Sequence, residues 1–401
     1  MAHQVHIAVA LDGAGWHPAA WREETARPRE LTSPGYWRDL VRTAEDAGVS
    51  FVTIEDALSL EGRSIEPDAA TRRDRVRGRL DAQLVASFLA PLTRRVGLVP
   101  TVTTTHTEPF HLATALQTLD HASLGRAGAR IVAGSTASER GNFGRRSDGP
   151  RGFPASGRVE DDPAWEAAFR EAGEVVDAVR RLADSWEDDA IIRDVATGRF
   201  LDRERVHGIG FDGEFFSITG ASIVPRSPQG QPLITALAHQ TVPYRFAAEH
   251  ADVVFITPGD AAEATGILAE VARAVDEVRL TTEPLRLFAD LLVLVEDTGA
   301  AASDTWDHLE QRAPISIDAR VVAGTAEELV DEIRALADAG VDGIRLRPAR
   351  LPADLIAIAE LVIPRLNAEG ILAPDTGAPT LRERLGLVRP SSRYVAQEVF
   401  A

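Results

Sequence analysis

The chain has no cysteine. Disulfides, thiolate metal sites and cysteine nucleophiles are therefore excluded. Positive charge is scarce as well: 43 Lys and Arg against 61 Asp and Glu leave a formal net charge of −18. That balance speaks against a nucleic-acid or anionic-membrane surface, since both need basic patches. The acidic residues are spread along helix-like segments and read as a solvated surface. No apolar run approaches the roughly 20 residues that a membrane helix needs. The first residues, "MAHQVHIAVALDGAGW", carry neither a basic leader nor a signal-type apolar core, so the expectation is a soluble, cytoplasmic protein. A Walker loop, H-E-x-x-H and G-x-S-x-G are all missing. His106 and His111 are separated by a proline at a poor spacing for metal ligands, and no metal site is expected. "GIGFDG" (208–213) matches G-x-G-x-x-G but follows the charged "LDRERVH" and leads into a strand-like run. It reads as a surface hairpin.

What is present is 44% apolar residues in 401, ample for a large core. Eight strand-type runs stand out: 5–11, 51–54, 96–102, 129–133, 232–237, 252–256, 285–295 and 342–346. Between them lie helix-type runs at 34–48, 79–93, 109–123, 162–186 and 325–340. Ser33 with Pro34 caps the first, and Thr325 with Glu328 forms a capping box for the last. Eight buried strands alternating with helices predict an α/β fold, a closed (β/α)8 TIM barrel with insertions on its C-terminal face. We expect one domain over 1–401, with active-site insertions at 57–78 and 136–231 and a tail at 375–401 packed on the barrel or on a partner subunit.

The stretch "VPTVTTTHTEPFH" (99–111) ends the third strand in a run of hydroxyls. Thr101 and Thr103 share one side, by the period of two. Thr104 and Thr105 fit a turn before the next helix. Around this stretch, "GLVPTVTTTHTEPFHLATALQTLDHASLGRAGARIVAGSTASERGNFG" (97–144) resembles the flavin-dependent luciferase-like monooxygenases. The branch that includes nitrilotriacetate and dibenzothiophene-sulfone monooxygenases is the most similar. Its marks are a T-x-S-T run, a Pro-aromatic helix start, L-D-h-x-S-x-G-R-x-G and a later N-F-G. "HPAAWR", "FDGEFFSITG", "SPQGQPLITA", "VAGTAEELVDEI" and "TLRERLGLVRP" look similar in the same order.

The resemblance implies a TIM barrel, a homodimer or dimer of dimers, and reduced FMN supplied by a separate, transiently bound flavin reductase, with O2 as co-substrate. The protein would then hold the flavin and position a small, heteroaromatic or polar substrate for C–N, C–S or C–H oxidation. Three other readings stay open. One is deazaflavin-dependent hydride transfer on the same fold, one an FMN-using lyase that cleaves a ring such as a flavin, and one a flavin carrier without turnover.

For cofactor binding the resemblance points to Asp56 beside the flavin ring, with Glu55 on the other side. It also points to Thr101, Thr103, Gly134, Ser135, Asn142 and Thr241. Thr241 lies where the family has Ala-Gly-x-Ser-x-x-Gly, and His239 and Tyr244 stand where its glycines would be. His17, His106 and His239 are rival acid–base candidates. Trp16, Phe110, Arg130 and Arg347 are substrate-side candidates. Arg130 replaces the family's usual asparagine, and either Arg345 or Arg347 is expected to point inward.

Overall fold

The computed structural model describes residues 3–60, 72–134, 136–144, 149–150 and 157–395. Nine parallel strands form the main sheet: β1 (His6–Leu11), β2 (Phe51–Ile54), β3 (Gly97–Thr103), β4 (Gly128–Val132), β5 (Leu233–Leu237), β6 (Val253–Ile256), β7 (Arg286–Val295), β8 (Arg320–Gly324) and β9 (Gly343–Pro348). Eight of them close a barrel, since β6 pairs with β7, β7 with β9 and β9 with β1. These are the eight strands read from the sequence. β8 is the addition: it pairs only with the far half of β7, Leu291–Val295, beyond the stretch of β7 that β6 covers. Its half-exposed "RVVAG" has no continuous apolar run, so the sequence pattern did not mark it.

Helices cover the outside of the barrel: α1 (Pro34–Asp46), α2 (Ala82–Leu89), α3 (Pro109–Ala122), α4 (Ala137–Phe143), α5 (Pro163–Asp184), α6 (Thr241–His250), α7 (Ala261–Val278), α8 (Gly299–Arg312) and α9 (Ala326–Ala339). The expected caps are in place. Ser33 accepts from Gly35 N, and the Thr325–Glu328 box is closed in both directions, with Gly340 left-handed after it. "GIGFDG" runs into a two-stranded hairpin, Phe211–Asp212 with Ser217–Ile218.

Register sorts the barrel interior into two levels. The lower level is apolar: Ala8, Phe51, Val99, Leu233, Val253, Phe255 and Phe288. Leu381, Leu385 and Leu387 from the C-terminal segment plug it from below, so this part of the tail packs on its own barrel. Gly97 and Gly343 make room there. A Cβ at Gly97 would come within 2.7 Å of Leu381, and one at Gly343 within 2.3 Å of the Phe288 ring.

The family-like "LDHASLGRAGAR" is scaffold at this lower end. Buried Arg126 donates to the carbonyls of Ser123 (2.7 Å), Val96 (2.7 Å), Ala90 (2.9 Å) and Thr93 (3.0 Å), and to Thr93 Oγ1 (2.9 Å). Asp120 accepts from Ala127 N and from Gln229 N and Nε2. A buried cation spread over carbonyls is a rigid joint between α3 and the start of β4.

Two histidines set an acid limit on this fold. Burial, with Arg286 and Arg384 nearby, lowers His6 to about 4 against an opposing Asp342. Burial and Arg180 lower His250 to about 4 against Asp177. Between pH 6.5 and 4 the unfolded chain binds protons that the native state refuses, so stability falls as pH drops through that window. A shift of this size corresponds to about 3 kcal/mol per histidine. Denaturant melts at pH 7 and pH 5 are expected to show a loss of about 2 kcal/mol per histidine, part of that total, and the His6→Asn/His250→Asn variant is expected to flatten it. Equal melts of the unaltered protein at the two pH values would contradict it.

Candidate active site

Above the apolar level the interior becomes charged. Period two and the strand register put Thr53 (β2) and Glu55 (just after β2), Thr101 and Thr103 (β3), Arg130 (β4), Thr235 (β5), Asp290 (β7), and Arg345 and Arg347 (β9) on the inner side. Thr101, Arg130 and Thr235 are successive register partners. Arg130 and Thr235 lie at mid-strand, while Glu55, Thr103 and Arg347 lie toward the C-terminal ends, where a barrel builds its active site.

These side chains form one ion-paired chain. Arg130 Nη2 donates to Glu55 Oε2, and its Nε donates to Thr101 Oγ1 at 3.1 Å. Glu55 Oε1 lies 3.8 Å from Arg345 Nη1. Arg345 forks onto Asp290, Nε to Oδ1 at 2.7 Å and Nη2 to Oδ2 at 2.5 Å, with its guanidinium 3.8 Å from the Phe255 ring centre. Asp290 also accepts from Arg347 Nη2, and Arg347 Nη1 donates to Asp318 Oδ1 at 3.0 Å. Three guanidinium groups thus face three carboxylates. The sequence holds no lysine, so every buried cation is an arginine, whose planar fork suits shared carboxylates. Burial alone would raise the Asp318 carboxyl, but the Arg347 guanidinium outweighs it and holds the group below its usual range.

The expected residues fall into two sets. Thr101, Thr103, Arg130 and Arg347 converge on the barrel interior. Trp16 joins them: its ring lies 4.7 Å under the Arg347 guanidinium, and its Nε1 donates to Ala10 O. Gly15 permits this path at φ +123°, where a Cβ would come within 2.3 Å of Ala349 O. His239 follows β5 at the mouth, open to solvent on one side; partial desolvation of its ring and Arg347 lower its pKa against the pull of Asp318. His106 stacks flat on Phe143 of α4, with ring centres 4.5 Å apart.

Others point elsewhere. Glu55, expected on the far side from the ring, is the residue that enters the barrel. Asp56 instead accepts from Ala57 N (2.7 Å) and from Ala82 N (2.9 Å) at the start of α2. His17 does not overhang the mouth. It is buried against Trp306, accepts from Ala19 N at Nδ1, and so carries its proton on Nε2 toward Glu310 at 2.8 Å. Asn142 donates to Leu58 O, and Glu139 accepts from Leu58 N, so α4 fastens the start of the 57–78 loop. Phe110 packs in the helix–barrel core. Arg130 does not face solvent but pairs with Glu55 inside the barrel, and both Arg345 and Arg347 point inward, because residues two apart in a strand share a face. Gly134 is left-handed at φ +72° against Trp165, and Ser135 lies outside the described residues.

A flavin ring edge calls for hydroxyls and a cation. The barrel interior supplies Thr103, Arg130 and the buried Thr235 Oγ1, and the turn after β3 adds Thr105 Oγ1; neither of these last two hydroxyls has a protein partner. That donor set fits the ring. The phosphate end fits less well at α6. There Thr241 Oγ1 donates to Glu270 Oε1 at 3.2 Å, Gln240 is engaged with Val159 N and Gly157 O, and Pro243 lacks an N–H. Among the described residues no group of three or more His, Asp or Glu is placed to hold a metal, and no helix is long and apolar enough to cross a membrane.

Sequence and structure comparisons agree with this geometry. A family model described as luciferase-like monooxygenase matches residues 14–316. The chain is 27% identical to the N-acetyl-S-(2-succino)cysteine monooxygenase of Bacillus subtilis (strain 168), over 98% of each chain. It is 26% identical to nitrilotriacetate monooxygenase component A of Aminobacter aminovorans, over 97% of this chain and 98% of that one. The crystal structure of a long-chain alkane monooxygenase superposes with a TM-score of 0.84 at 22% identity, over 96% of both chains, a likeness of fold. With a match over most of its length, an eight-stranded parallel barrel and a polar constellation at the C-terminal mouth, the chain belongs to the luciferase-like monooxygenase family.

Proposed function

We propose that this enzyme is the oxygenase component of a two-component system, using reduced FMN from a separate reductase and O2 to oxidise a small, heteroaromatic or polar substrate at a C–N, C–S or C–H centre. The observation that carries the proposal is the polar barrel interior of Thr103, Arg130 and the partnerless hydroxyl of Thr235, with the partnerless Thr105 hydroxyl in the turn after β3. When bound, reduced FMN supplies the electrons and the oxygen chemistry. The chain's own part is binding, orientation and water exclusion. Thr103 and Arg130 hold the ring edge, Arg130 meeting the negative charge that reduction places there. His239, lowered below its ordinary value, is neutral at pH 7 and able to accept a proton at the mouth. Trp16 walls the side under Arg347. Cytoplasmic location and a transient reductase contact belong to this reading.

The test is turnover of candidate substrates with FMN, NADH and a generic flavin reductase, with and without oxygen. Product formation that requires both reduced FMN and O2 is the expected result. Full turnover under strict anaerobiosis would overturn the proposal.

Assembly as a homodimer is supported by the apolar side chains that α2 and the residues before it leave exposed: Leu80, Leu84 and Phe88. Leu84→Asp, which puts a charge on that face without touching the core, is expected to halve the mass seen by light scattering. An unchanged mass would place the contact elsewhere.

A further inference from the structure

The ion-paired chain in the barrel has a buried end and an open end. Asp290 is fully buried and Arg347 is 2% exposed, whereas the Asp318 side chain is 39% exposed. Asp318 belongs to the irregular segment between α8 and β8. Arg347 is fixed from the other directions, with Asp290 below it and the Trp16 ring against its face. Its Nε carries no hydrogen bond. Asp290 already serves Arg345 as well as Arg347. Without Asp318, one positive charge on Arg347 is therefore left uncompensated at the mouth.

We propose that Arg347 is the substrate-recognition residue for a small organic carboxylate, and that Asp318 is its exchangeable counter-ion. The proposal rests on the oxygenase reading of this mouth and adds the substrate class. A carboxylate entering from solvent meets Asp318 first. It takes over the outer N–H groups of Arg347 while Asp318 turns into water, so the charge balance of the buried network is unchanged. The planar guanidinium, held flat on Trp16, presents its donors in the geometry a carboxylate accepts. His239, neutral and beside both groups, adds no opposing charge. No bond is made or broken in this exchange.

The experiment is a calorimetric titration of the whole protein with succinate, in the absence of flavin, substrate and reductase. Unaltered protein is expected to bind succinate weakly and to lose affinity as salt is added. Asp318→Asn, which removes the competing carboxylate, is expected to tighten succinate binding by about tenfold. Arg347→Lys, which keeps the charge facing Asp290 but loses the fork, is expected to weaken it by about tenfold while the protein stays folded. The neutral isostere succinamide is expected not to bind either protein. Unchanged succinate affinity in Asp318→Asn, or equal binding of succinamide, would overturn the assignment, and both readings hold even if Arg347→Lys fails to fold. Competition separates carboxylate from cofactor phosphate: displacement of succinate by FMN but not by riboflavin would give Arg347 to the cofactor and overturn its substrate role. Because the titration uses neither oxygen nor flavin turnover, failure of the oxygenase reading would not be mistaken for failure of this one.

Discussion

Asp290→Asn is expected to cost the fold about 3–5 kcal/mol, the largest single effect of any conservative change in the barrel interior. Asp290 is fully buried and hydrogen-bonds two arginines, forking with Arg345 and accepting from Arg347. The amide is nearly isosteric, so packing is preserved and no cavity opens. What is lost is the charge. Arg345, stacked on Phe255, then has only Glu55 at 3.8 Å as counter-ion, and Arg347 has only Asp318. Breaking a buried pair by removing one partner is costly because the other charge stays behind without compensation. Chemical denaturation of the two proteins at pH 7 measures the difference. A loss under about 1 kcal/mol would mean that water reaches Arg345 and the network is not dry.

The same residue was not singled out from the sequence, although a signal for it was there. "LRLFADLLVLV" reads as a buried strand, and an aspartate in its middle is a visible anomaly: one carboxylate in an apolar run needs a cation across the barrel. Period two puts both Arg345 and Arg347 on one face, where only one of them was expected inward, and the structure's register brings both opposite β7. The eight barrel strands and the two capped helices were legible for the same reason, because burial on both sides leaves continuous apolar runs and caps have fixed spacing. Register between distant strands was not legible. That is why Arg130 gave no hint of Glu55, 75 residues away, and why the inward member of the Glu55–Asp56 pair was read the wrong way round. Asp318 sits in irregular chain with no periodicity to mark its direction. His17 was placed over the mouth by its position after β1, yet a helix from the far end of the chain supplies Glu310 and draws the ring down. The family-like motif around Arg126 shows the converse: a strong sequence mark can belong to the scaffold.

The second large effect concerns Arg130, which has two jobs that one substitution cannot separate. It neutralises Glu55, and in the proposed function it faces the flavin ring edge beside Thr101 and Thr103. Arg130→Met leaves Glu55 buried with only the more distant Arg345, and is expected to cost about 3 kcal/mol or more in stability. The same variant is expected to bind reduced FMN at least about tenfold more weakly, the worth of one charge-assisted hydrogen bond. Adding Glu55→Gln removes the stranded charge. The double variant is expected to recover most of the stability, because replacing both partners of a buried pair is far cheaper than removing one. It is not expected to recover the flavin affinity, because no cation returns to the ring edge. Denaturation and anaerobic FMN titration of the two single variants and the double complete the cycle. If affinity returns together with stability, Arg130 acts on the cofactor only by keeping the barrel folded, and ring recognition rests on the threonine hydroxyls alone.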